Sequence, residues 1–170
     1  MLECLILYSL LERDLTTYKI RKFISEKFEI FADPSLGAVH PALNKLVRLK
    51  YIETSKMLSE GGQKSIFHKL TQEGKKYFNE LFTQIISTSV SKIVLEIELK
   101  IIMLPKIKND ELKNKFFENA LNVLELVGYD IRNATEKSEC GYYKTSAGLL
   151  YKGIADLKST VEKLKQESGL

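Results

Sequence analysis

Apolar residues along most of this chain recur at spacings of three and four, the period of one helix face, and a single stretch breaks that rhythm. Leu2, Leu5, Ile6 and Leu10 predict a short first helix ending near Glu12-Arg13-Asp14. In a second helix Ile20, Phe23, Ile24 and Phe28 form the stripe, and Lys19, Arg21, Lys22 and Lys27 stay mostly outside it. Thr16 or Thr17 can cap that helix. Phe31-Ala32-Asp33-Pro34 is a break, because proline disfavours helix at the residue before it. A third helix then follows Ser35, with Val39, Ala42, Leu43, Leu46 and Leu49 on its apolar face. Pro41 lies inside it without a backbone donor, which predicts a bend or a late start.

After Lys50-Tyr51 the period shortens. Residues 52–58 and 65–70 read as two strands, and Gly61-Gly62 between them can supply the positive φ of a hairpin. Thr71 then caps a long helix. Phe78, Leu81, Phe82 and Ile85 mark its first half, and Ile86, Val90, Ile93, Ile97, Ile101 and Leu104 its second. Ser87-Thr88-Ser89 predicts a bend within it, and Pro105 follows its end. Asn109 caps another helix, whose apolar face is Leu112, Phe116, Ala120, Val123, Leu124 and Val127 and whose stop is Gly128. Residues 129–142 read as a polar loop. The last helix runs from about Tyr143 to Gln166. Its Ala147, Leu150, Ile154, Leu157, Val161 and Leu164 make a coiled-coil type seam that one helix cannot bury alone.

This order predicts a mainly α protein with a small β-hairpin. Residues 1–80 would form a winged helix-turn-helix domain and residues 81–170 a helical domain that dimerises through Leu150, Ile154, Leu157, Val161 and Leu164. In such a fold the third helix enters the DNA major groove and the hairpin wing reaches phosphates or the minor groove. The exposed face of the third helix suits that use. Gly37, His40, Pro41, Asn44, Lys45 and Arg48 are small near its start and donor-rich after it, and Ser35 and Ala38 sit where groove-entering helices make base contacts. Lys19 and Tyr18 join the candidate set; Tyr18 either stacks near phosphate or, the reading preferred, packs on the third helix. Lys64 and Lys69 flank the wing turn as phosphate contacts.

Charge supports a polyanion partner. The chain's net charge is only +4, yet residues 35–76 carry eight lysines and arginines against three glutamates. At 170 residues and 44% hydrophobic content the chain has enough apolar material for a core, so disorder is not expected. No apolar run approaches the roughly 20 residues of a membrane span, and the N-terminus lacks the basic start of a signal peptide, so the expected location is the cytoplasm. Cys4, Cys140, His40 and His68 are too few and too scattered for a metal cluster, and no cofactor is expected. An enzyme is the poorest reading, because no Ser or Cys has an evident base and both histidines fall in the DNA-binding half. Glu96 and Glu98 point to different helix faces, and Glu136 and Glu139 read as solvated charges in a loop. Phe116, Phe117, Tyr129, Tyr142, Tyr143 and Tyr151 read as core or dimer packing ahead of a ligand pocket.

The residues also resemble the PadR family of transcriptional regulators over about residues 2–80. Leu5-Ile6-Leu7 through Leu10-Leu11 is similar to that family's "ILGLL" opening, and Thr17-Tyr18-Lys19-Ile20 to its "GYEI". Ser35 to Leu46 follows "S-x-G-T-L-Y-P-A-L-x-R-L", Lys50-Tyr51-Ile52 stands where "GLI" is common, and Phe67 to Gly74 resembles "YYRLTEEG". The resemblance implies a homodimeric repressor or sensor of double-stranded DNA whose C-terminal helical domain dimerises and takes a small-molecule effector. Ala38, His40 and His68 depart from the family pattern at positions where DNA contacts are expected. A reading from another class is a winged-helix module that binds protein rather than DNA.

Overall fold

The computed structural model describes residues 1–58 and 64–170, so the predicted Gly61-Gly62 turn lies outside the described residues. The chain forms two compact units, Met1–Phe82 and Thr83–Leu170.

In the first unit three helices, α1 (Leu2–Ser9), α2 (Thr17–Phe28) and α3 (Leu36–Arg48), pack on one another. The first helix ends at Ser9, short of the expected Glu12, because the chain turns there into a two-residue strand, β1 (Leu15–Thr16), too short to leave a periodic signal. β2 (Ile52–Leu58) and β3 (Lys64–Leu70) form the hairpin, and β1 adds to β3, giving the antiparallel order β1-β3-β2. α4 (Gln72–Thr83) closes the unit. The core joins Leu5, Ile6, Ile20, Ile24, Val39 and Leu46 with a cluster of rings in which Tyr8 stands 5.8 Å from Phe28 and 6.3 Å from Phe78. Thr16 is the residue that caps α2, accepting from Lys19 N at 3.3 Å.

Between α2 and α3 the chain is cross-braced. Arg21 pairs with Asp33 at 2.9 Å and donates to the Pro34 carbonyl, and Ser25 Oγ donates to the same Asp33 oxygen. The brace sets where α3 begins. Pro41 causes no late start: helix runs from Leu36, because Ser35 caps it and proline is tolerated where its missing N–H costs only the bond to Gly37.

The second unit holds α5 (Val90–Met103), α6 (Asp110–Lys137) and α7 (Gly141–Glu167). Two expectations fail here. The long helix after Thr71 is two helices, with residues 84–89 non-helical between them. A buried ion pair accounts for the break: Glu96, 2% exposed, accepts from the backbone of Ser87 (3.0 Å) and Ile86 (3.4 Å), and Lys100, fully buried, bonds both Glu96 (2.6 Å) and the Gln84 carbonyl. Those groups take over the bonds a helix would have made. Nor does Gly128 stop α6. Ile131 continues the buried stripe beyond it, and a Cβ on Gly128 would meet nothing nearer than Tyr151 Cε2 at 3.7 Å, an ordinary contact. The expected loop at 129–142 is therefore mostly helix, and α7 starts at Gly141.

α6 and α7 pack along their lengths. Ala147, Ile154 and Val161 of the seam are buried within the chain, Leu157 and Leu164 partly so, and Leu150 is exposed. The seam thus finds its cover in α6 rather than requiring a second copy. No helix among the described residues is long and apolar enough to cross a membrane.

Candidate nucleic-acid interface

α3 is seated by Val39, Leu43 and Leu46, which are buried. At about 100° per residue, the arc opposite them holds Gly37, Pro41, Asn44 and Arg48, with His40 on one flank and Ala38 and Lys45 on the other. All seven are exposed, as is Ser35. Pro41 has no N–H to give the Gly37 carbonyl, and both stand on this arc. The missing side chain at Gly37 has no packing reason. A Cβ there would meet nothing nearer than Ser35 Oγ at 3.6 Å, an ordinary contact. The side chains of Asn44 and Arg48 have no partner among the described residues and stay available to a ligand.

The flanks are more constrained. Lys45 Nζ pairs with Glu3 Oε1 at 2.6 Å, so α1 holds it over one side of the arc. The other Glu3 oxygen accepts from Tyr77 Oη at 3.0 Å, and Tyr77 stacks on Tyr51 with centroids 4.3 Å apart. Burial, then the bond to Glu3, pushes the Tyr77 phenol up to about 12, so it remains a donor. Ser35 Oγ accepts from Ala38 N at 3.2 Å, which commits one lone pair to the cap and leaves its O–H free to donate.

Two candidates move. Tyr18 is 62% exposed, so much of its side chain faces solvent. His68, expected near DNA, is buried at 7% exposure, its Nε2 3.0 Å from Thr17 Oγ1. It joins the sheet to the start of α2. Burial lowers its basicity, and nearby His40 lowers it further. Lys19, Lys64 and Lys69 are exposed as expected. Lys64 and Lys69, however, are five apart in β3, so the pleat sends them to opposite faces. Lys56 shares the Lys64 face; period-two alternation in β2 carried that signal, but the strand pattern was too irregular to read it.

In the second unit Phe116 and Phe117 are fully buried core, and Tyr142 and Tyr143 are exposed. Tyr129 and Tyr151 line an open groove of about 380 Å³ between α6 and α7, together with Leu124, Gly128, Arg132 and Ile154. The Arg132 guanidinium lies 5.3 Å from the Tyr151 ring centroid and bonds its hydroxyl. Beside it Lys158 pairs with Glu125. Among the described residues no group of three or more His, Cys, Asp or Glu could hold a metal.

A helix seated on one side, bare on the other and followed directly by a basic β-ribbon is the winged helix-turn-helix arrangement. Residues 6–80 match the model of the transcriptional regulator PadR-like family, and this unit is a PadR-like winged helix. Among solved structures the chain is similar to a PadR family transcription regulator from Clostridium difficile, with 26% identity over 46% of this chain and 80% of that one and a TM-score of 0.42. It is also similar to Bacillus subtilis PadR, solved in complex with operator DNA, with 18% identity over 98% of each chain and a TM-score of 0.47. A PadR-like regulator from Bacillus cereus shows 25% identity over 46% of this chain and 75% of that one, with a TM-score of 0.42. No curated protein matches the chain.

Proposed function

We propose that this chain is a homodimeric, DNA-binding transcriptional repressor that places α3 in the major groove of a palindromic operator. The observation that carries the reading is the α3 arc, where an unpacked glycine and a proline precede two unpartnered donors, Asn44 and Arg48. Bare backbone at the helix start lets it approach base edges closely, and Asn and Arg suit adenine and guanine edges respectively.

The proposed dimer surface is the exposed side of α7 rather than its seam. Tyr142 and Leu149 lie seven apart, on one face, and Leu149 is 71% exposed. Gly153, one turn further, has nothing within 4 Å of a Cβ and would let a second helix approach. Half-sites about 34–36 Å apart would match two α3 helices one DNA turn apart. Leu149→Asp is expected to give monomers in sedimentation without loss of fold, whereas Ile154→Asp would unfold the unit. A Leu149→Asp protein that stays dimeric removes this face from the interface.

The test of the reading is selection of duplexes from random sequence, then affinities for the selected and a scrambled duplex for wild type, Asn44→Ala and His40→Ala. DNA reading predicts that log K falls linearly with log salt. It also predicts that Asn44→Ala costs about 1–3 kcal/mol of discrimination at one base pair per half-site. If both substitutions leave the affinity ratio intact, the α3 arc does not read bases.

A further inference from the structure

The two cations of α3 are held differently. Arg48 has no side-chain partner among the described residues, whereas the Lys45 ammonium is tied to Glu3 at 2.6 Å. α3 has no acidic residue of its own, so the carboxylate on its flank comes from α1. Glu3 is anchored from two further sides. It stands in the first turn of α1, where the N-terminal end of a helix favours a carboxylate. Its second oxygen accepts from Tyr77 Oη at 3.0 Å, and the Tyr77 ring is fixed in turn by stacking on Tyr51. The Glu3 side chain is 22% exposed and that of Lys45 47%, so the acid is the sheltered partner and the ammonium the accessible one.

A structural clamp does not account for this pair. α1 and α3 are already joined through the core, where Ile6, Val39 and Leu46 are buried. A partly exposed ion pair adds little to that. Beside a polyanion the pair is a handicap, because the carboxylate cancels a charge that phosphate would otherwise use.

We propose that Glu3 is a specificity-determining residue for DNA: it withholds Lys45 from phosphate and presents the ammonium to a guanine edge in the major groove. The inference rests on the DNA-binding reading above. An ammonium has N–H donors to spare beyond the one given to Glu3. Held where it is, Lys45 reaches phosphate only by leaving its partner, so binding to a random duplex gets no help from it. A guanine O6 or N7 at the right place takes the spare donors with the pair intact. Phosphate contacts position a protein without reading sequence. Moving one cation out of that class weakens binding to wrong sites and widens the ratio between right and wrong ones.

The test measures affinity against salt on the selected and the scrambled duplex for wild type, Glu3→Gln, Lys45→Ala and the double variant. Glutamine keeps the shape of Glu3 and can still accept from Tyr77, and Lys45 is exposed, so the fold should be kept, which thermal melting verifies. Freed Lys45 should add one phosphate contact. Glu3→Gln should then bind the scrambled duplex more tightly, with a salt slope steeper by about one unit. That gain should shrink about tenfold for each tenfold rise in salt, and discrimination between the duplexes should fall. Adding Lys45→Ala should return the slope to its wild-type value. Lys45→Ala alone should cost more affinity on the selected duplex than on the scrambled one. If Glu3→Gln melts below the assay temperature, that last comparison decides alone. An unchanged slope in Glu3→Gln overturns the proposal. A steeper slope that persists without Lys45 is a general charge effect and overturns it too, as does an equal loss on both duplexes in Lys45→Ala. DNA binding stands in each of these cases. Wild type that binds no duplex overturns this inference together with the reading beneath it.

Discussion

A Cβ on Gly74 would stand 2.0 Å from the carbonyl oxygen of Tyr51 and 2.7 Å from Leu70 Cδ1. The first turn of α4 is pressed onto the corner between α3 and the wing, and only a residue without a side chain fits. Thr71 locks the same corner, its hydroxyl donating to the Lys50 carbonyl at 2.8 Å and accepting from Gly74 N at 2.9 Å. Since backbone cannot move aside as a flexible side chain could, Gly74→Ala should cost at least the roughly 1–3 kcal/mol of an overpacked site. Thermal melting checks it, with Gly148→Ala as the contrast. Gly148 lies inside α7 with nothing within 4 Å of its Cβ site, so alanine there should stabilise. Equal effects at the two glycines would mean that the corner relaxes freely.

The same corner holds Lys50 at φ 61°, in the left-handed region. Its N–H bonds the Val47 carbonyl and the Tyr51 N–H bonds the Leu46 carbonyl, both at 2.9 Å, the paired bonds of a Schellman helix end. Glycine is the residue such an end favours, and lysine bears the left-handed penalty of roughly 1–2 kcal/mol. Lys50→Gly should therefore stabilise the unit by about 0.5–1 kcal/mol after glycine's own entropy cost, seen as a higher urea midpoint with the m-value unchanged. A lower midpoint would show that the lysine side chain stabilises the corner by more than its backbone costs.

What the sequence made legible follows from how local each cause is. The stripes of α2 and α3, the caps at Thr16, Ser35, Thr71 and Asn109, and the exposed α3 arc all depend on neighbours within a turn, so period and residue type revealed them. The break at residues 84–89 does not. It depends on Glu96 and Lys100 reaching back ten and sixteen residues, and a Glu–Lys pair four apart reads in sequence as surface decoration. His68 misled for a similar reason, because its partner Thr17 is 51 positions away. Gly128 matched a stop signal, but its own backbone is not left-handed and the buried stripe runs on to Ile131, so the helix continues through it.

The buried pair makes a stability prediction. Burial alone would raise the Glu96 carboxyl, but the Lys100 ammonium and the Ser87 and Ile86 N–H groups outweigh it and hold it below its ordinary 4.5. A depressed carboxylate stabilises the fold above its unfolded value, and that contribution is lost as pH falls through the folded one. Acid unfolding of wild type should therefore draw on Glu96 below about pH 4.5, and Glu96→Gln should flatten the curve there. Lys100→Met alone strands a buried charge and should cost about 3–5 kcal/mol. The double variant Glu96→Gln/Lys100→Met should recover part of that loss. Additive losses in this cycle would show that the two groups are not coupled.

The sharpest separation of function from stability lies at Gly37. Its backbone is helical rather than left-handed, and the space around its Cβ position is open, so nothing in the fold demands glycine. Glycine inside a helix costs up to about 1 kcal/mol relative to alanine. Gly37→Ala should thus raise the melting temperature. If α3 approaches base edges along this arc, the added methyl stands between helix and groove, and affinity for the selected duplex should fall by about tenfold, a loss of roughly 1.4 kcal/mol. Binding to a scrambled duplex relies on phosphate contacts at a distance and should change little. Melting and both affinities, measured on one preparation, decide the matter. A protein that is both more stable and equally tight on the selected duplex would show that the bare start of α3 does not touch DNA. In that case the glycine would have no explanation in the fold or in the groove.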